Sequence, residues 1–92
     1  MSRPVEHHPE QRRFQIIENG ILCVLDYELN GNTMIVIHTG VPQAVGGRGI
    51  AADLTMHALD TARQKGWLVR PVCSYADAYI RRHKEDYADL LA

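Results

Sequence analysis

Three places in this 92-residue chain hold side chains or backbone suited to chemistry: the run Val45-Gly46-Gly47-Arg48-Gly49-Ile50, Cys73, and His38. The glycine run lets the backbone turn sharply and aim successive N–H groups at one point. A helical pattern begins immediately after it, and a helix start brings unpaired N–H groups and the positive end of a dipole. Strand, glycine loop and helix in that order make a cradle for a phosphate or pyrophosphate. Arg48, inside the loop, adds a guanidinium that either meets a phosphate or projects into water. Cys73 falls between the end of one predicted strand and the start of a predicted helix, where a thiolate is favoured. His38 lies near the end of the strand before the loop. It offers an imidazole for proton transfer, or one that orders the loop by hydrogen bonding.

Other polar residues read more simply. Cys23 shares a strand face with Ile21, Leu25 and Tyr27 and belongs to the core. His57 is a helix-surface or boundary residue. Arg81, Arg82 and His83 end the second helix, where positive charge suits the dipole. Tyr75 and Tyr79 occupy one face of that helix and pack on the sheet. His7-His8-Pro9 has no third metal ligand nearby, so residues 1–11 read as a mobile tail and no metal site is expected.

The elements that must position these groups follow from periodicity. Phe14 to Glu18 predicts a short strand, and Asn19-Gly20 a two-residue hairpin turn. Ile21 to Leu29 alternates clearly, and Asn30-Gly31 predicts a second hairpin. Thr33 to Thr39 predicts a third strand with faces Met34/Val36/His38 and Ile35/Ile37/Thr39. Both faces are largely apolar, which predicts a central strand covered on both sides. Gly49 to Lys65 is the best helix, with Ala51, Leu54, Thr55, Ala58, Leu59 and Ala62 on one face and Gly66 as its stop. Trp67 to Val72 predicts a fourth strand whose pairing ends near Pro71. Ser74 to Asp77 resembles a capping box opening a helix to about His83, and Glu85 to Leu91 predicts a last helical turn. A right-handed crossover then sets the fourth strand parallel to the third. The expected fold is α+β: a mixed four-stranded sheet, three strands antiparallel, with two main helices.

Composition narrows the classes. The charge is −1, which gives no electrostatic case for nucleic acid or an anionic membrane. No apolar run approaches the roughly 20 residues that span a bilayer. Two cysteines predict free thiols and a reducing, cytoplasmic setting. Residues 12–92 form one domain. The loop lacks the Gly-Lys-Ser/Thr of a Walker A motif, and the upstream hairpins argue against a dinucleotide-binding unit.

His38-Thr39-Gly40-Val41-Pro42, the loop to Ala51, Val72-Cys73-Ser74-Tyr75 and Tyr79-Ile80-Arg81-Arg82-His83 together resemble the small, single-domain N-acetyltransferase-like branch of the GNAT superfamily. The resemblance covers roughly residues 14–91. It implies a sheet splayed between two parallel strands, with coenzyme A in the cleft and Gly47 and Gly49 on the glycine positions of the pyrophosphate signature. It implies a role for Cys73 in acetyl transfer, as a covalent acetyl carrier or as an acid toward the departing thiolate. It also offers the 3′-phosphate of coenzyme A as a partner for Arg81, Arg82 and His83. Three positions depart from the pattern. Ala44 replaces Gln or Arg, Gly46 replaces a frequent arginine, and Gly40 stands where relatives often carry a glutamate; in the wider superfamily a carboxylate in this neighbourhood can serve as general base.

The expected function is therefore acetyl-CoA-dependent transfer to an amine. Val45 to Ile50 hold the pyrophosphate, Cys73 carries or assists transfer, and His38 is the candidate base. The acceptor amine is open: a protein lysine, an N-terminus or a small amine. The alternative is a coenzyme A-binding module without transferase activity, which the glycine at position 40 favours. A third reading is an interaction protein that kept the fold alone.

Overall fold

The structure, a computed structural model, describes residues 3–92. It is built on one mixed sheet with strand order β1-β2-β3-β4-β5, where β1 is Glu6–His8, β2 Arg13–Glu18, β3 Ile21–Asn30, β4 Thr33–Gly40 and β5 Leu68–Pro71. The first four strands pair antiparallel and β5 runs parallel to β4. Helix α1 (Ile50–Lys65) makes the crossover, α2 (Ser74–Arg82) follows β5, and α3 (Lys84–Tyr87) is a single turn.

The sheet has five strands rather than the expected four. The extra strand comes from the segment read as a tail: Glu6 to His8 pair with Gln15 to Arg13, and Pro9–Gln11 form a 3-10 turn. Three residues are too few to show alternation, so the sequence carried no period to detect. Side chains fasten the strand. The His7 ring stacks on Phe14 with centroids 4.1 Å apart, and its Nε2 lies 2.6 Å from the Tyr27 hydroxyl. The part of the tail expectation that falls on Met1 and Ser2 lies outside the described residues.

The first hairpin forms where expected, with Asn19 at φ 50° and Gly20 at φ 77°, the positive pair that matches strand twist. The second is shifted by one residue. Asn30 pairs with Thr33, so Gly31 and Asn32 make the turn and Asn30 stays in β3.

Both α1 and α2 pack on one face of the sheet. Phe14, Ile16, Cys23, Leu25, Tyr27, Met34, Val36 and Val69 face Leu54, Ala58, Leu59, Ala62, Ala76 and Ile80 in one core. Among the described residues no helix covers the opposite face, where Ile17, Leu22, Ile37 and Leu68 are exposed. The expectation that β4 is covered on both sides therefore fails. A right-handed crossover places α1 on one side, and α2 returns to that same side.

A bulge in β4 sets which way the last residues of that strand face. Tyr27 pairs with Val36 but Asp26 pairs with His38, so Ile37 is an extra residue. One inserted residue reverses the facing of every side chain beyond it. Thr39 pairs with the buried Leu25 and joins the core side, while His38 turns to the open face. This exchanges the two expected faces of the strand beyond the bulge.

The C-terminal segment closes the free edge of β5. Leu91 bridges Val69, and the Ala92 N–H donates to the Val69 carbonyl at 3.0 Å. Arg63 holds this segment through Asp89 at 2.7 Å and the Asp86 carbonyl at 2.6 Å.

Candidate functional site: a glycine loop facing a helix-capping cysteine

Val45 and Ile50 are both buried, and Gly46 to Gly49 are exposed between them. The loop is thus anchored at both ends by apolar side chains. Gly47 and Gly49 sit at φ 77° and 80°, a region L side chains avoid, with nothing within 4 Å of where a Cβ would lie. They are glycines for conformation, and the space above them is open.

The N–H groups divide in a way the sequence did not reveal. Those of Val45 and Gly46 are occupied, donating to the Pro42 and Gln43 carbonyls at 3.1 and 3.0 Å within a 3-10 turn. The first bond of α1 runs from Asp53 N–H to the Gly49 carbonyl at 3.1 Å, and no side chain caps the helix. Among the described residues, the N–H groups from Gly47 to Ala52 have no backbone acceptor. Such a run of orphan donors is what an anion would satisfy. The N–H groups without backbone acceptors thus run from Gly47 to Ala52, whereas the expected span is Val45 to Ile50. A cavity of about 260 Å³ sits over it, lined by Val41, Gly46, Gly47, Gly49, Ile50, Ala51, Ala52 and Tyr75. Tyr75 packs against the core and also walls this cavity from the first turn of α2. Arg48 does not line it; its guanidinium reaches Glu18 at 3.2 Å.

Across the sheet edge the parallel strands part. Their pairing ends at Val36 and Pro71, and the N–H groups of Val72 and Cys73 both donate to the Val36 carbonyl at 3.0 and 2.9 Å. β4 continues along β3 to Gly40, while the other chain turns into α2. Pro71, with no N–H to offer, marks the break.

Cys73 is itself the N-cap of α2; the expected capping box from Ser74 does not form. The Asp77 carboxylate instead pairs with Arg81 at 3.0 Å. Because of the bulge, the Thr39 hydroxyl reaches the Cys73 sulfur at 3.5 Å. Burial pushes the Cys73 thiol up. The Thr39 hydroxyl and the backbone N–H groups of Ala76, Tyr75 and Thr39 outweigh it, and the net direction is downward. Cys23 has no such surroundings. It is fully buried, and burial drives its thiol up.

His38 is not brought beside Cys73. It is exposed on the open face, and its Nε2 lies 2.9 Å from where a Cβ on Gly40 would sit. The imidazole takes the space that a side chain at position 40 would occupy. Arg81, Arg82 and His83 line a different cavity, of about 490 Å³, with Lys84, Glu85 and Asp86 at the far end of α2. It shares no residue with the loop. Burial, with Tyr87 second, pushes the Tyr79 hydroxyl up to about 12, which suits a packing residue. Among the described residues, no cluster of three metal-ligating side chains occurs, and no helix is long and apolar enough to cross a membrane.

An uncapped helix behind a glycine loop, at the mouth of a splayed parallel strand pair, is the arrangement the sequence resemblance implied. The model of the GCN5-related N-acetyl-transferase family matches residues 13–90. The chain belongs to this family. It is 35% identical over 82 residues to Protein NATD1 of Mus musculus, covering 86% of this chain and 74% of that protein. Protein NATD1 of Danio rerio is 34% identical over the same length, covering 86% and 74%. A GCN5-like protein of Staphylococcus aureus, whose solution structure was determined by NMR, superposes with a TM-score of 0.76 at 23% identity, over 97% of this chain and 87% of that one. This last likeness shows the GNAT fold alone.

Proposed function

We propose that this GNAT protein transfers the acetyl group of acetyl-CoA to an amine. The observation that carries the reading is the run of N–H groups from Gly47 to Ala52 without backbone acceptors, beside a cavity lined by Gly47, Gly49, Ile50, Ala51 and Ala52. The pyrophosphate of coenzyme A satisfies those donors and draws on the α1 dipole. The open space above Gly47 and Gly49 admits a phosphate close to the backbone.

With the coenzyme anchored there, Thr39 and Cys73, at the end of the gap between β4 and β5, would meet its thioester. The acceptor amine attacks in its neutral form and releases its proton to water, because His38 faces away from Thr39 and Cys73. The N–C bond forms and the C–S bond breaks. Cys73 gives its thiol proton to the departing sulfur, and Thr39 and the α2 N–H groups stabilise the thiolate left behind. The thiol then regains a proton from solvent.

The test is Cys73→Ala. Turnover should fall about 100-fold, the lower range for loss of a positioned acid, with coenzyme A affinity kept. Turnover equal to the wild type removes Cys73 from the chemistry. Intact mass after exposure to acetyl-CoA separates its roles. A wild-type acetyl adduct that disappears in Cys73→Ala makes the cysteine a nucleophile instead of an acid.

A further inference from the structure

The Arg48–Gly49 peptide is bounded on one side by Gly49, at φ 80°, and Gly47, at φ 77°, precedes Arg48; both glycines reach the left-handed region without strain. A trans peptide points its C=O and N–H in opposite directions. Whatever holds the Arg48 carbonyl therefore decides where the Gly49 N–H points. The holder is Arg3, a residue outside every motif in the chain. Its Nη2 donates to the Arg48 carbonyl at 2.7 Å, its Nη1 to Asp53 at 2.8 Å and its Nε to Glu18 at 3.1 Å. One planar fork ties together the end of β2, the loop and the first turn of α1.

Charge gives a second, independent argument. Asp53 directly follows the cavity-lining Ala52, and Glu18 is bound to the same loop through Arg48. Two carboxylates so placed oppose an incoming anion. Arg3 pairs with both, at side-chain exposures of 19% for Asp53 and 21% for Glu18. Arg48 also pairs with Glu18, at 3.2 Å, and is the more exposed of the two arginines, at 41% against 26%. An exposed pair of this kind is worth little, so Arg48 can exchange Glu18 for a phosphate while Arg3 stays.

We propose that Arg3 is a positioning residue for the anion site: it turns the Gly49 N–H toward the cavity and neutralises the two carboxylates that flank the site. The ligand half of this proposal rests on the coenzyme A reading above. Arg3 touches no ligand; it acts through Arg48 and Asp53.

The test uses Arg3→Gln and Arg3→Lys in the full chain. Without ligand, the Arg48 carbonyl-carbon and Gly49 amide-nitrogen resonances should shift in Arg3→Gln, while those of Gly66, at the other end of α1, stay in place. With coenzyme A, Arg3→Gln should bind about tenfold more weakly, or about 1.4 kcal/mol. KM for acetyl-CoA should rise in step while kcat stays within about twofold, since the chemical step is untouched. Arg3→Lys, which keeps the charge but not the fork, should recover part of the affinity. Unshifted Arg48 and Gly49 resonances in Arg3→Gln, or wild-type affinity for coenzyme A, would overturn the proposal. If the wild type binds no coenzyme A, the coenzyme reading falls and takes the ligand half with it; the ligand-free spectra then decide by themselves whether Arg3 orients the loop.

Discussion

Replacing Thr39 with valine removes the side-chain hydroxyl that reaches the Cys73 sulfur at 3.5 Å, without changing volume much. A hydrogen bond to a charged group contributes about 1.5–3 kcal/mol. This contact is long, so the lower figure applies, and about 1.5 kcal/mol corresponds to about a tenfold change in the equilibrium between thiol and thiolate. The hydroxyl favours the thiolate, so Thr39→Val should raise the Cys73 midpoint. The thiolate fraction at a pH below the midpoint then falls about tenfold. The more basic thiolate is also more nucleophilic, with a Brønsted slope of about 0.4–0.5, which restores about threefold. The net expectation is reaction with a disulfide reagent slowed about three- to fourfold. Cys23 does not interfere, being fully buried. Thr39→Ser should match the wild type. The linkage has a definite sign: a thiol with a lowered folded-state midpoint stabilises the fold above its unfolded midpoint, and this is lost as pH falls through the folded one. Thr39→Val should weaken that dependence. An unchanged rate and midpoint in Thr39→Val would refute the claim that the β4 bulge serves to bring the hydroxyl to the sulfur.

Gly49→Ala meets no clash but forces an L residue into the left-handed region, a cost of about 1–2 kcal/mol. For a domain of this size the melting temperature should drop by about 4–8 °C per kcal/mol; an unaltered melting curve would contradict the loop geometry. Burial, with Lys65 second, holds the His7 imidazole below its usual 6.5. The unfolded chain therefore binds that proton first, and stability should decline as pH falls through and below about 6.5. His7→Phe should flatten this decline in urea titrations; an identical slope would show that β1 is not fastened by a neutral imidazole.

The parts of this molecule that were legible in the sequence are those with a long period or a distinctive turn. β2, β3, α1, its glycine stop and the break at Pro71 all followed from alternation, 3.6-residue spacing or a missing N–H. β1 was hidden because three residues show no period, and its hold on the sheet comes from His7 meeting Phe14 and Tyr27, which lie far away in sequence. The bulge at Ile37 was hidden because an inserted residue leaves no compositional mark, yet it exchanges the positions of Thr39 and His38. The glycine loop was legible as the turn between β4 and α1, but which of its N–H groups were already occupied depended on the 3-10 turn from Gln43 to Val45. Arg3 could not have been found at all. Its three acceptors lie 15, 45 and 50 residues away.

The measurement that bears most directly on the central claim is an amide NMR titration with coenzyme A, repeated with pantetheine, which lacks the pyrophosphate. Coenzyme A should move the amide signals of Gly47, Gly49, Ile50, Ala51, Ala52 and Tyr75, and pantetheine should leave the loop signals in place. Loop amides undisturbed by millimolar coenzyme A, or moved equally by pantetheine, would contradict the assignment of this loop as a pyrophosphate cradle.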